Sequence, residues 1–516
     1  MRRVRSQLLV VSLLFASACG TTVPAAQQAA TGAAGLGGAT PAAGTGTSQA
    51  RGGTSGSAAG SASTTVTGGG TSGTGAGVPG GSTGSTAAGT GPSSVSGIPT
   101  KGPSWDAKHI YIGIPTADDF NSVANASGIN GSNGSTEGDV NAIVADINRS
   151  GGLFGRQVVP AYYDVKTTDL AYNPAATAQA ICAHYTEDRP VVAVINGAPQ
   201  LDAQDNFHRC LEKAGVGLLS FTNTDYDDQD YTRLGPHLWT VGSLSTDILL
   251  PGFVGSLKRQ GFFGGWDTLN ARAATTPAKV GLLLPDTAEG HHDDQVLTGL
   301  LNKASVTIAS RFFYDSSGLG SKSQSEVLQF KSAGVTHILD LPPVAAEVWL
   351  FQQAAQQQHY RPRYGFTSFN LPLSMMENTS IVPPQQQVGS MGIGWAPYND
   401  VDAQHDPGPV PGAKRCLSAL AKGGQSFNST QRRNALIGVQ FCDAIYLLRD
   451  ALQAGNGFSP SALLAGMPIA GPRFSAAGTF RSALTSTNHG VPSYYRDEHY
   501  DSACSCFVYS GGDKRF

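Results

Sequence analysis

From residue 104 onward the chain has no Gly-x-Ser-x-Gly elbow and no His-Glu-x-x-His helix, so the commonest signatures of serine-hydrolase and zinc-protease chemistry are missing. No Gly-x-Gly-x-x-Gly turn follows the first β-rich run at Gly113, and the glycines from Gly128 to Gly138 are irregularly spaced, so a dinucleotide fingerprint is missing too. Lys and Arg number 34 against 37 Asp and Glu, a formal net charge of -3, which leaves no basic face for nucleic acid. After the N-terminal apolar run no second one is long enough to span a membrane. Between Thr21 and Gly102 there is no aromatic residue, and Arg51 and Lys101 are the only charges. A segment built this way from Gly, Ser, Thr and Ala cannot bury a core and reads as a flexible linker of about 80 residues, with an r.m.s. span of roughly 50 Å. These absences exclude the recognisable enzyme classes, call for no metal or cofactor, and leave small molecules or proteins as partners.

What is present begins with a targeting segment. Arg2, Arg3 and Arg5 form a basic start, Leu8 to Phe15 an apolar run, and Ala16-Ser17-Ala18 lead to Cys19, the layout of a secretory signal. The segment resembles a bacterial lipoprotein signal. That resemblance implies cleavage before Cys19, a diacylglycerol on its thiol, and a mature chain tethered to the membrane on its extracytoplasmic side. Lipidation of Cys19 would leave Cys182, Cys210, Cys416, Cys442, Cys504 and Cys506. An even number of cysteines outside the cytosol reads as disulfides. Six cysteines allow 15 connectivities; sequence proximity favours Cys182 with Cys210 and Cys416 with Cys442, leaving Cys504 and Cys506 to each other. A zinc site made from these cysteines would need clustered pairs at knuckle spacing, which are absent.

The remainder is long enough for two lobes of ordinary domain size. Residues 109–115 are a short β-rich run, and 136–150 follow with Val140, Ile143, Val144 and Ile147 at helical spacing. A strand over 156–165, a helix opened by Asn173-Pro174, a buried strand over 190–196, a helix over 202–213 and a strand over 216–223 continue the alternation. A second series opens with a helix near 246–259. Strands are expected over 279–285, 306–314, 337–341 and 364–368, with helices over 292–303, 323–333 and 345–357. Alternation of this kind predicts an α/β fold in which parallel sheets carry helices on both faces.

The order Ile112-Gly113, Gly138 to Asn148, Gly151-Gly152-Leu153-Phe154-Gly155-Arg156, Val191 to Gly197 with Pro199, and Ala214-Gly215-Val216 resembles type I periplasmic binding proteins. More narrowly, it resembles the branched-chain-amino-acid class of ABC transporter substrate-binding proteins, over essentially all of 106–516. The Asn-x-x-Gly-Gly-x-x-Gly-Arg turn at 148–156 is the most specific element. The resemblance implies two Rossmann-like lobes joined by three crossovers near 242–247, 396–401 and 485–494, with a ligand held as the lobes close. Residues 105–243 with 398–488 would form lobe I, and 244–397 with 489–516 lobe II, after a signal over 1–18 and a lipidated linker over 19–104.

In open parallel sheets ligands sit beyond the carboxyl ends of the strands, where helix N-termini offer free N–H groups. Asn121, Ser122, Asn196, Gly197, Gln200, Thr222, Asn223 and Thr224 are the candidates in lobe I, and Gly290, His291, Thr367 and Ser368 those in lobe II. The neutral ones suit a carboxylate or amide. Asp225, Asp227, Asp228 and Asp230 read as a solvated face or helix start, and His291 to Asp294 as a helix N-terminus. Ala198-Pro199-Gln200-Leu201 stands where the amino-acid-binding class places small hydroxyls, which speaks against a branched-chain amino acid; the expected solute is small and polar, amino-acid-like or amide-like. The partner implied is an ABC permease or membrane sensor. The rival reading is an envelope-associated regulatory or scaffold lipoprotein that uses the same fold without transport.

Overall fold

In the computed structural model the chain is described over residues 98–126, 134–222, 224–234, 236–315, 320, 322–341, 345–408, 410–428, 432–485 and 487–516. Cys19, the signal segment, most of the linker and Asn223 lie outside these residues. The first sheet is all parallel and is built from β1 (His109–Thr116), β2 (Gln157–Asp164), β3 (Ala193–Asn196), β4 (Gly217–Ser220) and β5 (Leu238–Thr240) in the order β2-β1-β3-β4-β5. A two-stranded ribbon of β6 (Trp266–Asp267) and β7 (Arg272–Ala273) precedes the second sheet. That sheet contains β8 (Lys279–Pro285), β9 (Thr307–Tyr314), β10 (His337–Asp340), β11 (Arg363–Thr367), β12 (Met391–Gly394), β13 (Tyr494–Asp501) and β14 (Cys506–Arg515), in the order β14-β13-β12-β11-β10-β8-β9. β8 to β12 are parallel, whereas β13 and β14 add antiparallel strands at one edge. The parallel sheets read from alternation are present; the antiparallel edge is an addition, because β13 and β14 are joined by a short turn rather than by a crossover helix.

The turn over 148–156 shows why its sequence is so specific. Gly151, Gly152 and Gly155 have φ of 99°, 69° and 77°, and a Cβ on Gly152 would lie 2.0 Å from the Arg156 carbonyl oxygen. Only glycine meets both demands. Asn148 then stitches the helix end to β2: its Nδ2 donates to the Val158 carbonyl at 2.9 Å, and its Oδ1 accepts the Val158 N–H at 2.8 Å. Arg156 ties the turn to the chain before β1 through Nε to the Asp106 carbonyl at 2.7 Å.

The chain passes between the two sheets three times. After β5 the Thr246–Arg259 helix buries Leu249, Leu250, Phe253 and Leu257 in the core beneath the second sheet. After β12 the chain returns, and the helices Pro411–Lys422, Arg432–Ala454 and Pro460–Ala470 bury Cys416, Leu420, Val439, Ile445 and Met467 together with Ile110, Ile112 and Ile143. Leu484 and Val491 still belong to that core, and the chain then leaves it to form β13. Sulfur bonds join Cys182 to Cys210, Cys416 to Cys442, and Cys504 to Cys506. Among the described residues no helix is long and apolar enough to cross a membrane.

Two elements differ from their expected bounds for local reasons. The helix expected from residue 292 begins at Ala288, because the Thr287 hydroxyl caps it by accepting the Gly290 N–H at 3.1 Å. The helix expected over 202–213 divides into Pro199–Asp202 and Asp205–Ala214, and the break frees the Asp202 side chain for a different task.

Candidate functional site

Beyond the ends of β3 and β4 the candidate residues of lobe I converge, but on another residue of the chain. Asp202 is buried with 3% exposure. One of its carboxylate oxygens accepts the Asn196 amide at 2.7 Å; the other accepts the hydroxyls of Ser220 and Thr222 and lies 3.5 Å from that of Thr224. The Thr222 and Thr224 hydroxyls are 2.7 Å apart, and His208 Nε2 lies 2.8 Å from the Asp202 carbonyl. Burial pushes the Asp202 carboxyl above its ordinary range, while His208 and the three donors pull it back. Asn196, Thr222 and Thr224 thus surround an internal carboxylate. Gly197 lies where a Cβ would stand 2.3 Å from the Phe221 ring, and half-buried Gln200 sits on the Pro199–Asp202 helix.

Asn121 and Ser122 sit on the Phe120–Ala126 helix, where the Ser122 hydroxyl donates to the Asp119 carbonyl at 2.8 Å. That helix reaches across from the first sheet: Phe120 and Val123 pack against the apolar cluster of Tyr314, Phe330 and Phe351.

The second sheet repeats the motif of an internal carboxylate. The Ser368 hydroxyl donates to Asp400 Oδ2 at 2.8 Å and accepts the Trp395 N–H at 2.8 Å, while the Tyr509 hydroxyl and the Ala396 N–H reach the same Asp400 oxygen at 2.6 and 2.9 Å. Burial raises Asp400 to about 7 despite these donors. Thr367 is a cap, its hydroxyl accepting the Phe369 N–H at 3.2 Å. Gly290 lies against Pro285, where a Cβ would be 2.1 Å from the carbonyl oxygen. Exposed His291 pairs with Asp286 at 3.0 Å and lies on the Phe313 ring at 4.3 Å.

A groove of about 730 Å³ opens where the Asp228–Arg233 helix, from the first sheet, meets the N-terminus of the Ala288–Lys303 helix, from the second. Asp227, Asp228, Asp230, Glu289, Arg233 and His292 line it. Asp227 caps the first helix, its carboxylate accepting the Asp230 N–H at 2.7 Å. Arg233 is already engaged by Asp205 and Asp230. His292 Nε2 lies 2.9 Å from Asp247; burial alone would lower its pKa, but the Asp247 hydrogen bond and surrounding carboxylates raise it on balance. The lobes touch here through the Thr246 N–H on the Tyr226 carbonyl at 2.9 Å and the Asp228 N–H on Asp247 at 3.1 Å.

Behind these contacts lie two acids whose position the sequence did not disclose. Asp225 is 4% exposed and Asp293 fully buried, one from each lobe, and their charges repel. Among the described residues Asp225 Oδ2 has no hydrogen-bond partner, and the Thr246 hydroxyl is the one group that acts on the Asp293 carboxylate as a hydrogen bond, pulling its pKa down. Burial raises Asp293 to about 7, and burial with the nearby charges of Asp293 and Glu289 raises Asp225 further. An acidic loop is expected to be solvated, yet Asp225 is buried; the signal that could distinguish it is its place between buried Phe221 and buried Tyr226. The acids lining the groove attract cations and N–H donors.

No family model and no curated protein matches the chain. Solved structures do match its fold. A substrate-binding protein of an ABC transporter from Desulfitobacterium hafniense, solved with leucine, is 14% identical, with a TM-score of 0.52 over 78% of this chain and all of that one. A solute-binding protein from R. palustris, solved with 4-hydroxybenzoate, is 14% identical, with a TM-score of 0.55 over 79% of this chain and 97% of that one. A leucine-binding protein from Thermotoga maritima is 11% identical, with a TM-score of 0.53 over 78% of this chain and 98% of that one. The fold is the type I periplasmic-binding fold: two α/β lobes joined by three crossings.

Proposed function

We propose that this chain is an extracytoplasmic solute-binding lipoprotein, held by Cys19, that captures a small polar solute between its lobes for an ABC permease or membrane sensor. It binds without turnover. The observation that carries the reading is the interlobe groove with Asp225 and Asp293 behind it, at the strand ends where open parallel sheets bind ligands. Support for the wider role comes from the secretory signal, the long linker and the likeness of the fold to solute-binding proteins. In this reading residues 105–243 and 398–488 form one lobe and 244–397 and 489–516 the other. Asn196, Thr222 and Ser368 are engaged by Asp202 and Asp400. The solute-facing polar groups are therefore sought in the groove, and the solute is amide-like or amino-acid-like with its N–H face toward the acids. Binding favours the closed arrangement by the difference in affinity between states.

The test is the melting temperature of the chain against amino acids, amides, amines and aromatic acids. A native-state ligand at 100-fold over its Kd adds about 2.7 kcal/mol of stability. A shift confined to one series, and lost in Asp293→Asn, supports the reading. Silence across all series turns the assignment to the scaffold alternative, which the internal engagement of Asn196, Thr222 and Ser368 favours. Cys19→Ala tests the anchor separately, by release of the protein from the membrane fraction.

A further inference from the structure

Cys506, buried with 8% exposure, opens β14, and exposed Cys504 sits in the turn before it. A third group reaches them from the connection between the helices Pro397–Asp400 and Pro411–Lys422, 101 residues away in sequence: His405, whose Nδ1 and Nε2 lie 3.6 and 3.9 Å from Cys506 Sγ. One ligand atom from each of His405, Cys504 and Cys506 falls within 4.8 Å of the others. Asp402 fixes the imidazole: one of its oxygens lies 2.8 Å from His405 Nδ1 and also accepts the backbone N–H groups of Gln404 and His405 at 2.8 and 3.0 Å. With Nδ1 held by a carboxylate, Nε2 is the nitrogen left to ligate, the arrangement that metal-binding histidines use to fix their tautomer.

We infer that Cys504, Cys506 and His405 form a redox-gated site for a thiophilic d10 cation, Zn²⁺ or Cu⁺. Two thiolates and an imidazole are the donor set such cations select. In a tetrahedral zinc site nitrogen and sulfur stand about 3.6 Å apart, from bond lengths of roughly 2.05 and 2.3 Å. The available nitrogen, His405 Nε2, stands 3.9 Å from Cys506 Sγ, a few tenths of an ångström beyond that separation and within reach of a small ring rotation, and the sulfur–sulfur bond is what keeps the site shut. A dithiol reductant opens it. Two electrons and two protons pass to the Cys504–Cys506 bond, the reductant becomes a disulfide, and both thiols release their protons as the cation binds. Three protein ligands leave one coordination position for water or a partner's donor. Cys182, Cys416 and Cys442 are fully buried, so the exposed Cys504 pair is the bond a reductant meets first.

The experiment uses the full chain. Free thiols are alkylated first, and mild phosphine reduction follows until mass spectrometry locates two new thiols at Cys504 and Cys506. Zn²⁺ is then titrated against a chromophoric chelator, with Co²⁺ as a spectroscopic substitute. The oxidised chain binds none; the reduced chain binds one equivalent, and its Co²⁺ form shows a thiolate-to-metal band. Asp402→Asn and His405→Ala each weaken affinity at least about 10-fold, and Cys504→Ser with Cys506→Ser abolishes it. The inference is overturned if the chain with both thiols free takes up no zinc, if His405→Ala binds as tightly as wild type, or if the thiols cannot be released without unfolding. His405→Ala and Asp402→Asn alter part-exposed positions, so circular dichroism separates lost ligation from lost fold.

Discussion

Asp202, at the end of the Pro199–Asp202 helix, and Asp293, in the second turn of the Ala288–Lys303 helix, are both buried carboxylates, yet the fold treats them in opposite ways. Asp202 sits among an amide and hydroxyls that all donate to it, whereas Asp293 has no such set of donors among the described residues. The first is a structural fastener that draws the ends of β3 and β4 together. The second has only the Thr246 hydroxyl beside it and keeps most of its hydrogen-bonding capacity for a proton or a ligand. The contrast teaches that a polar residue at a strand end is not thereby a ligand contact; what decides is whether its partners are already in the chain.

The largest effect expected from breaking the contrast is on stability. Asp202→Ala leaves Asn196, Ser220 and Thr222 without their acceptor in a dry interior, at a cost of about 3 kcal/mol, read from the urea midpoint. Asp293→Asn costs far less, and an equal loss in both would erase the distinction.

Next in size is a pH effect. Asp293 has a folded pKa of about 7 against an ordinary 3.8, so the native state holds its proton over a range where the unfolded chain has released it. The stabilisation is complete below about pH 4 and is lost as pH rises through 7. Asp400 and Asp443, likewise raised to about 7 by burial, act in the same direction. Melting temperature should therefore fall from pH 5 to pH 8 by the equivalent of a few kcal/mol, and Asp293→Asn should flatten part of the slope. A rise over that interval would contradict the assignment.

A smaller effect, about 1–2 kcal/mol, is expected for Thr222→Val, which removes a single hydroxyl from the Asp202 cluster while keeping its volume. Equilibrium unfolding of Thr222→Val, Asp202→Ala and the double variant should show less than additive loss, because the two residues share one hydrogen bond. Smallest of all is Thr287→Ala, about 1 kcal/mol from the lost cap of the Ala288–Lys303 helix. Hydrogen exchange at Gly290 and His291 would report it as local fraying at the groove.

Much of the fold was legible because the signals are local. Gly151, Gly152 and Gly155 declare a turn through the φ angles they alone tolerate, and alternating apolar runs declare strands and helices wherever a parallel sheet buries both faces. The antiparallel edge of β13 and β14 was not, since a hairpin at a sheet edge and a strand reached by crossover look alike in one sequence. The site was legible only in outline. Asn196, Thr222 and Ser368 lie at the strand ends where they were expected, but their partners Asp202 and Asp400 are chosen by tertiary packing. Asp225 and Asp293 stand far apart in the chain, and no periodicity links them. His405 and Cys506 are joined in the same way, across 101 residues.

The three passages between the sheets also set the order in which an emerging chain can be completed. The first sheet, finished by residue 240, has to wait for the Arg432–Ala454 helix to cover its apolar face, while the second sheet waits for its last two strands. A chain emerging N-terminus first therefore carries half-built cores until its final residues arrive, and contacts this distant in sequence close slowly. Any early stop, even one after residue 430, yields two incomplete lobes rather than one intact one, which makes this architecture demanding of holding chaperones and intolerant of truncation.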